Sequence, residues 1–276
     1  MPSAPAVKSA AREAASNPVL RFLARAGYVA NGIVHVLIGA IVLAIAFGAS
    51  GEGDQAGALK ALASAPLGFI LLWVIAVALA ALGVWHAFAG IIARAPRDDV
   101  KGAAKKWARR VSEWGQAVVF LTLGVITAAV ALGARPDAEK TAESASRGVL
   151  QLPGGPFVLG LTGLGIAIGG IAFIVMGLLR SFRKRMDLPD GKRGRGLTVA
   201  GIVGFIAKGV SLGVVGVLVL VAAVRQDADA AGGLDGAIDA LLELYLGPLL
   251  AGLVGAGFVV YGVFTVFRAR YARLDG

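Results

Sequence analysis

The chain has 276 residues, of which 57% are hydrophobic and 16% charged, with 40 glycines and a mean hydropathy of +0.78. A water-soluble domain is nearer half apolar and a quarter charged, so this composition belongs to the membrane class. The absence of cysteine excludes disulfides and thiol chemistry, and the net charge of +10 sits in short clusters without the interleaved aromatics of a nucleic-acid surface.

Residues 1–20 are small, polar and proline-punctuated, without the continuous apolar core of a secretory signal, so a mobile cytoplasmic tail is expected. From Tyr28 to Phe47 the chain carries no formal charge, the length a helix needs to cross a bilayer. A helix is predicted over Gly27–Phe47, and a second over Leu67–Ile92 returns across the membrane. Between them, Leu59 and Leu62 are three apart before Pro66, which predicts a short interfacial helix.

A charged linker, Arg94–Arg110, leads to a third span over Trp114–Leu132. The segment Gly133–Pro156 carries both signs of charge and the turn signal PGGP, and is expected to be a loop. A fourth span follows over Phe157–Leu179. The linker Arg180–Gly196 is basic and glycine-rich and is expected to be the most mobile internal segment. Leu197–Val224 forms the fifth span. In the acidic segment after it, Leu234, Ile238, Leu241, Leu242 and Tyr245 recur at helical spacing, predicting an amphipathic helix at the membrane surface. Pro248–Phe267 is the sixth span.

The first helices of the three pairs align on Gly39, Gly124 and Gly216, and the second helices on Gly83, Gly177 and Gly262. Each unit makes two crossings, so the units keep one orientation. The fold class predicted is an all-α membrane protein, with six transmembrane helices as three tandem parallel hairpins around a pseudo-threefold axis. The units are 21–94, 95–185 and 186–276, after the tail 1–20. The segments flanking the outer ends of the pairs hold 21 Lys and Arg, against 5 in the loops within the pairs. The positive-inside rule then puts both termini on the cytoplasmic side of the plasma membrane.

ARAGYVANGIVHVLIG in the first unit, LGVWHAFAGIIAR closing it and YGVFTVFRARY closing the third resemble a bacterial membrane family defined by domain of unknown function 1206. The resemblance covers about residues 20–272 and implies a two-helix domain occurring three times, with no activity to carry over. The family pattern usually has a basic residue just before the second glycine. Here that position holds Asn31, Gln116 and Lys208, so only the third unit keeps the charge.

These three residues are the foremost candidate constellation. Around a pseudo-threefold axis they would form one polar layer, lining a solute or headgroup site or else bonding helices together with a snorkelling lysine. Glu113, one turn before Gln116, is placed to pair with Lys208 or Arg110. His35 and His86 fall at similar depths on neighbouring helices and could together hold a haem or metal. Neither recurs in the other units, and no supporting carboxylate is near in sequence. Gly165-x-x-x-Gly169 and Gly209-x-x-x-Gly213 are small-xxx-small motifs, expected to pack within the chain, with a homodimer face as the alternative. Trp73, Trp85, Trp107 and Trp114 partly fit membrane-interface anchors.

No catalytic motif is present, and neither a cofactor nor a metal is expected. The first expectation is a non-catalytic membrane protein that binds lipid, with anionic lipid favoured by the basic clusters, or partner proteins. The alternative is a small-solute channel or transporter using the polar layer, and the third reading is a haem or metal carrier through the histidines.

Overall fold

The computed structural model describes Ser9, Glu13 and residues 17–93 and 100–273. Most of the expected N-terminal tail and part of the first basic linker lie outside these residues. Nine α-helices are described: α1 (Pro18–Ala46), α2 (Gln55–Ala63), α3 (Gly68–Ile92), α4 (Val100–Ala131), α5 (Ala138–Leu150), α6 (Gly155–Leu178), α7 (Gly191–Arg225), α8 (Gly233–Leu242) and α9 (Gly247–Tyr271). The long apolar helices α1, α3, α4, α6, α7 and α9 are the six transmembrane spans.

Local chemistry sets the helix ends. Asn17 caps α1, its side chain accepting from the Val19 N–H at 2.9 Å, with Pro18 in the first turn. Gly48 and Gly133 close the first helices of units one and two with positive φ, which lets the Ala49 and Ala134 N–H groups reach back to Ala44 and Ala129. In unit three the corresponding turn is made by Gln226, also left-handed.

The helices form a ring in which the strongest packing joins successive hairpins: α3 against α4, α6 against α7, and α9 against α1. Glycine makes this closeness possible. A Cβ on Gly39 would lie 2.5 Å from the Gly255 carbonyl oxygen, and one on Gly262 would lie 2.5 Å from that of Gly32. The α3–α4 contact repeats the same register: Gly124 faces Ala76 and Ala80 as Gly39 faces Gly255 and Val259, and Gly83 faces Leu121 as Gly262 faces Val36. Neighbours around the ring run antiparallel, so α1, α4 and α7 point the same way and the hairpins are parallel repeats.

The threefold pattern breaks in one place. Gly216 meets Ala167, about one turn from Gly170, which instead approaches Gly209 and Gly213. Within hairpins, α1 packs on α3 and α7 on α9, while α4 and α6 make no comparable contact. The ring therefore has one open side, flanked by the two least buried spans.

At one end, α2, α5 and α8 cap the bundle. The amphipathic helices expected in the first and third units are present, but they plug the bundle end, with Leu59 and Ile238 in its main core. Full burial of such a side chain is worth about 1.5–3 kcal/mol relative to leaving it in water. Helix α5 stands where a loop was expected. Its N-cap Asp137 accepts from the Lys140 N–H at 3.0 Å. The caps are tied together by the Gly53 N–H donating to Asp235 at 2.6 Å and by an Arg147–Asp229 ion pair at 2.6 Å.

The opposite end, here the terminal face, carries the ends of α1 and α9. The segment after α6, expected to be mobile, is folded against the bundle there. It forms a 3-10 turn, Ser181–Arg185, and then a single antiparallel bridge between Met186 and Ala272. Phe182 is buried against Phe205 and Phe264 at ring distances of 5.3 and 5.2 Å, and this aromatic anchor holds the strap down.

Candidate functional site

The terminal face contains a cavity of about 440 Å³ between α1, α3, α4, the strap and the end of α9. Its construction starts from the strap. The Asp187 N–H donates to the Tyr271 carbonyl at 2.8 Å, and the Arg273 N–H to the Arg185 carbonyl at 3.0 Å. The Arg273 guanidinium pairs with the Asp187 carboxylate and holds its carboxyl below the usual range. Stapled this way, the strap turns Lys184 and Arg185 to the cavity. From the other side, Arg25 donates to the Ala269 and Arg270 carbonyls at 2.6 and 2.9 Å, closing the end of α9 where the helix dipole favours a cation.

Five cations line the cavity: Arg109, Lys184, Arg185, Arg268 and Arg273. Arg273 is engaged by Asp187, and Arg185 lies 3.6 Å from a Glu113 oxygen. Arg268 sits over the Tyr28 ring at 4.7 Å. Among the described residues, Arg109, Lys184 and Arg268 have no carboxylate within 4 Å. Trp85, Ala89, Ile92 and Ala93 supply an apolar wall.

At the inner end, His86 Nδ1 lies 2.8 Å from Glu113 Oε2. An ionised carboxylate only accepts, so Nδ1 carries the proton and donates it. Both side chains are buried, and His86 is gripped by Phe120, stacked at 5.4 Å, and Trp85 at 5.0 Å. His86 Nε2 and Trp85 Nε1 are buried without a hydrogen-bond partner among the described residues. The oriented imidazole, its carboxylate partner and the five cations thus lie together around one cavity.

The repeat explains why the cavity lies on one side. Tyr28, Glu113 and Phe205 occupy equivalent positions in the three units under the glycine register. Tyr28 and Glu113 line the cavity, whereas Phe205 belongs to an aromatic cluster with Phe182, Met186, Tyr261 and Phe264 that fills the third position.

A second polar centre lies inside the bundle. Lys208 Nζ is 3.2 Å from His35 Nε2 and sits over the Tyr261 and Phe173 rings at 4.8 and 5.5 Å. His35 Nδ1 donates to the Asn31 carbonyl at 2.8 Å, which leaves Nε2 as the acceptor for the ammonium. The lysine is thus held inside the span by an imidazole and two ring faces.

The predicted residues regroup accordingly. Lys208 takes His35 as its partner, and Gln116 turns its amide to the Ser112 carbonyl of its own helix at 3.2 Å. Asn31 is buried and joins the Lys208 centre through its backbone carbonyl. Glu113 pairs with His86 and Arg185, not with Lys208 or Arg110; Arg110 lies over the Trp107 ring at 5.3 Å. The two histidines serve separate centres, and no cluster of three or more His, Asp or Glu suited to a metal occurs among the described residues. Sequence reasoning missed the strap cations and Arg268. The signal for Glu113 was its position opposite Tyr28 and Phe205, a carboxylate where the other units hold aromatics.

The comparisons agree with this architecture. The chain is 26% identical over 264 residues to Uncharacterized protein YxxB of Bacillus subtilis (strain 168), covering 94% of each chain. No solved structure matches. The model of the Domain of Unknown Function (DUF1206) matches three times, at residues 26–93, 113–180 and 203–272, one match for each hairpin. With most of its length so matched, the chain belongs to the DUF1206 family as a member with three copies of the domain.

Proposed function

We propose that this is a non-catalytic membrane protein that holds the headgroup of an anionic lipid in the terminal-face cavity, with that face in the cytoplasm. One observation carries the reading: Arg109, Lys184 and Arg268 converge on the cavity without a carboxylate within 4 Å among the described residues. Uncompensated cations at the end of a transmembrane bundle suit anionic headgroups, and the wall of Trp85, Ala89 and Ile92 suits the apolar shoulder of a lipid. The orientation rests on the excess of Lys and Arg at the same face. The glycine-packed interfaces and the large apolar core favour binding over conduction.

The test is to purify the full chain in mild detergent and identify the lipids it retains by mass spectrometry. Anionic lipids should be enriched several-fold over the membrane extract. A retained population mirroring the extract would contradict the reading.

A further inference from the structure

We infer that the cavity selects a phosphomonoester dianion over a phosphodiester, with His86 Nε2 as the discriminating contact. This rests on the reading of the cavity as an anion site and adds the class of anion.

Arg185 and Arg273 already have carboxylate partners, and Glu113 is engaged by His86 and Arg185. That leaves three cations around the cavity, Arg109, Lys184 and Arg268, and two buried nitrogens of lining residues without a hydrogen-bond partner among the described residues, Trp85 Nε1 and His86 Nε2, of which Nε2 belongs to the ring that Glu113 orients. A buried polar atom without a partner carries a desolvation penalty that a ligand can relieve. A phosphodiester offers two charged oxygens and a single negative charge. A terminal phosphomonoester offers three equivalent oxygens and nearly two charges, enough to engage the three cations and still reach Nε2.

His86 is placed for this contact by its surroundings. Glu113 accepts from Nδ1 and stabilises positive charge on the ring, so Nε2, an acceptor in the neutral imidazole, can take up a proton as the dianion binds and donate it to a phosphate oxygen. Phe120 and Trp85 fix the plane of the imidazole, so the nitrogen keeps its position when the cavity is empty. The apolar wall lies beside this cluster, so a monoester headgroup can enter with its lipid body against Trp85 and Ile92. The same phosphate chemistry occurs in soluble monoesters, and the test separates the two sources.

The full chain would be reconstituted in nanodiscs, and binding measured against vesicles of phosphatidylcholine doped with either phosphatidic acid or phosphatidylglycerol at matched surface charge. Inorganic phosphate and glycerol 3-phosphate would be titrated as soluble competitors. The expected result is at least a fivefold preference for phosphatidic acid, abolished in His86→Asn. That variant keeps an N–H for Glu113 but lacks the distal nitrogen. His86→Gln, which places an amide near the Nε2 position, should retain part of the preference, and unchanged thermal unfolding would establish that both variants are folded. Equal affinity for the two lipids would overturn the monoester assignment while leaving the anionic-lipid reading standing. Binding of the soluble monoesters but neither lipid would support the monoester assignment and overturn the lipid reading. No binding by any of the four probes would overturn both.

Discussion

His86 on α3 and Glu113 on α4 form a buried pair, 2.8 Å apart, that joins the second helix of one hairpin to the first helix of the next. The same interface carries Gly83 against Leu121 and Gly90 against Trp114, so the polar pair sits in a seam otherwise closed by small residues. The pair both stabilises the seam and aims the imidazole.

Glu113→Ala should therefore destabilise the protein by about 1–3 kcal/mol, because it leaves the buried His86 Nδ1–H without an acceptor. Glu113→Gln keeps a carbonyl oxygen in place and should cost less. Thermal unfolding in detergent measures both, and an Ala variant as stable as the parent would show that the pair contributes no stability.

The glycine register makes a sharper contrast. A Cβ at Gly39 would fall 2.5 Å from the Gly255 carbonyl, whereas Gly165 has open space around its own. Gly39→Ala should cost about 1–3 kcal/mol by forcing α1 and α9 apart. Gly165→Ala should be neutral or stabilising, since it removes a helix-interior glycine. Equal effects at the two positions would contradict the packing described.

Inside the bundle, His35→Leu should be more damaging than Lys208→Met. The first leaves an ammonium with only ring faces for partners, at about 1–3 kcal/mol for the lost charged hydrogen bond. The second removes the charge and keeps an apolar stem. The double variant should resemble Lys208→Met alone. Additive losses in this double-mutant cycle would show that the two residues do not interact.

The capped end should respond to pH in a defined direction. Burial raises the Asp235 carboxyl above its ordinary value, against the Gly53 N–H that lowers it, and the neighbouring Asp54, Asp239 and Glu52 charges raise it further. Burial raises Asp54 and Glu139 as well. The folded state thus binds these protons more tightly than the unfolded chain. Their contribution is fully present below the ordinary carboxylate pKa and is lost as pH rises through the raised folded values. Unfolding temperature should fall between mildly acidic and neutral pH. Asp235→Asn, which keeps an acceptor for Gly53 without the charge, should flatten that fall. An unchanged slope in the variant would assign the dependence to other groups.

Orientation is testable because the chain has no cysteine. Ser144→Cys places an exposed thiol on the capped face, and Lys192→Cys places one on the terminal face. In intact cells an impermeant thiol reagent should label position 144 and spare 192. The reverse pattern would invert the proposed topology.

Much of this architecture was legible in the residues. Hydropathy marks the six spans because a helix in lipid must be apolar along its length, and the anchors Gly39, Gly124, Gly216, Gly83, Gly177 and Gly262 mark the repeat because each lies where helices touch. Helix α5 was hidden because AEKTAESASRGVL is polar overall; its cap at Asp137 and the stripe of Ala138, Ala142, Ala145 and Val149 at helical spacing were the available signals. The strap was hidden because its order comes from Phe182 and Met186 docking on distant helices, which basic, glycine-rich composition does not reveal. The residues Asn31, Gln116, Lys208, Glu113, His35 and His86 were all identifiable from cost and rarity, but their partners were not. Pairing depends on which helices meet around the ring, and the closest neighbours are helices of different hairpins.

The central claim, that the terminal-face cavity holds an anionic headgroup, is tested most directly by native mass spectrometry of the full chain and of the variant Arg109→Gln, Lys184→Gln, Arg268→Gln. The parent should carry one tightly retained anionic lipid, and the variant, folded by its thermal unfolding, should lose that species at least tenfold. An anionic lipid retained equally by both proteins would contradict the assignment of the cavity as its site.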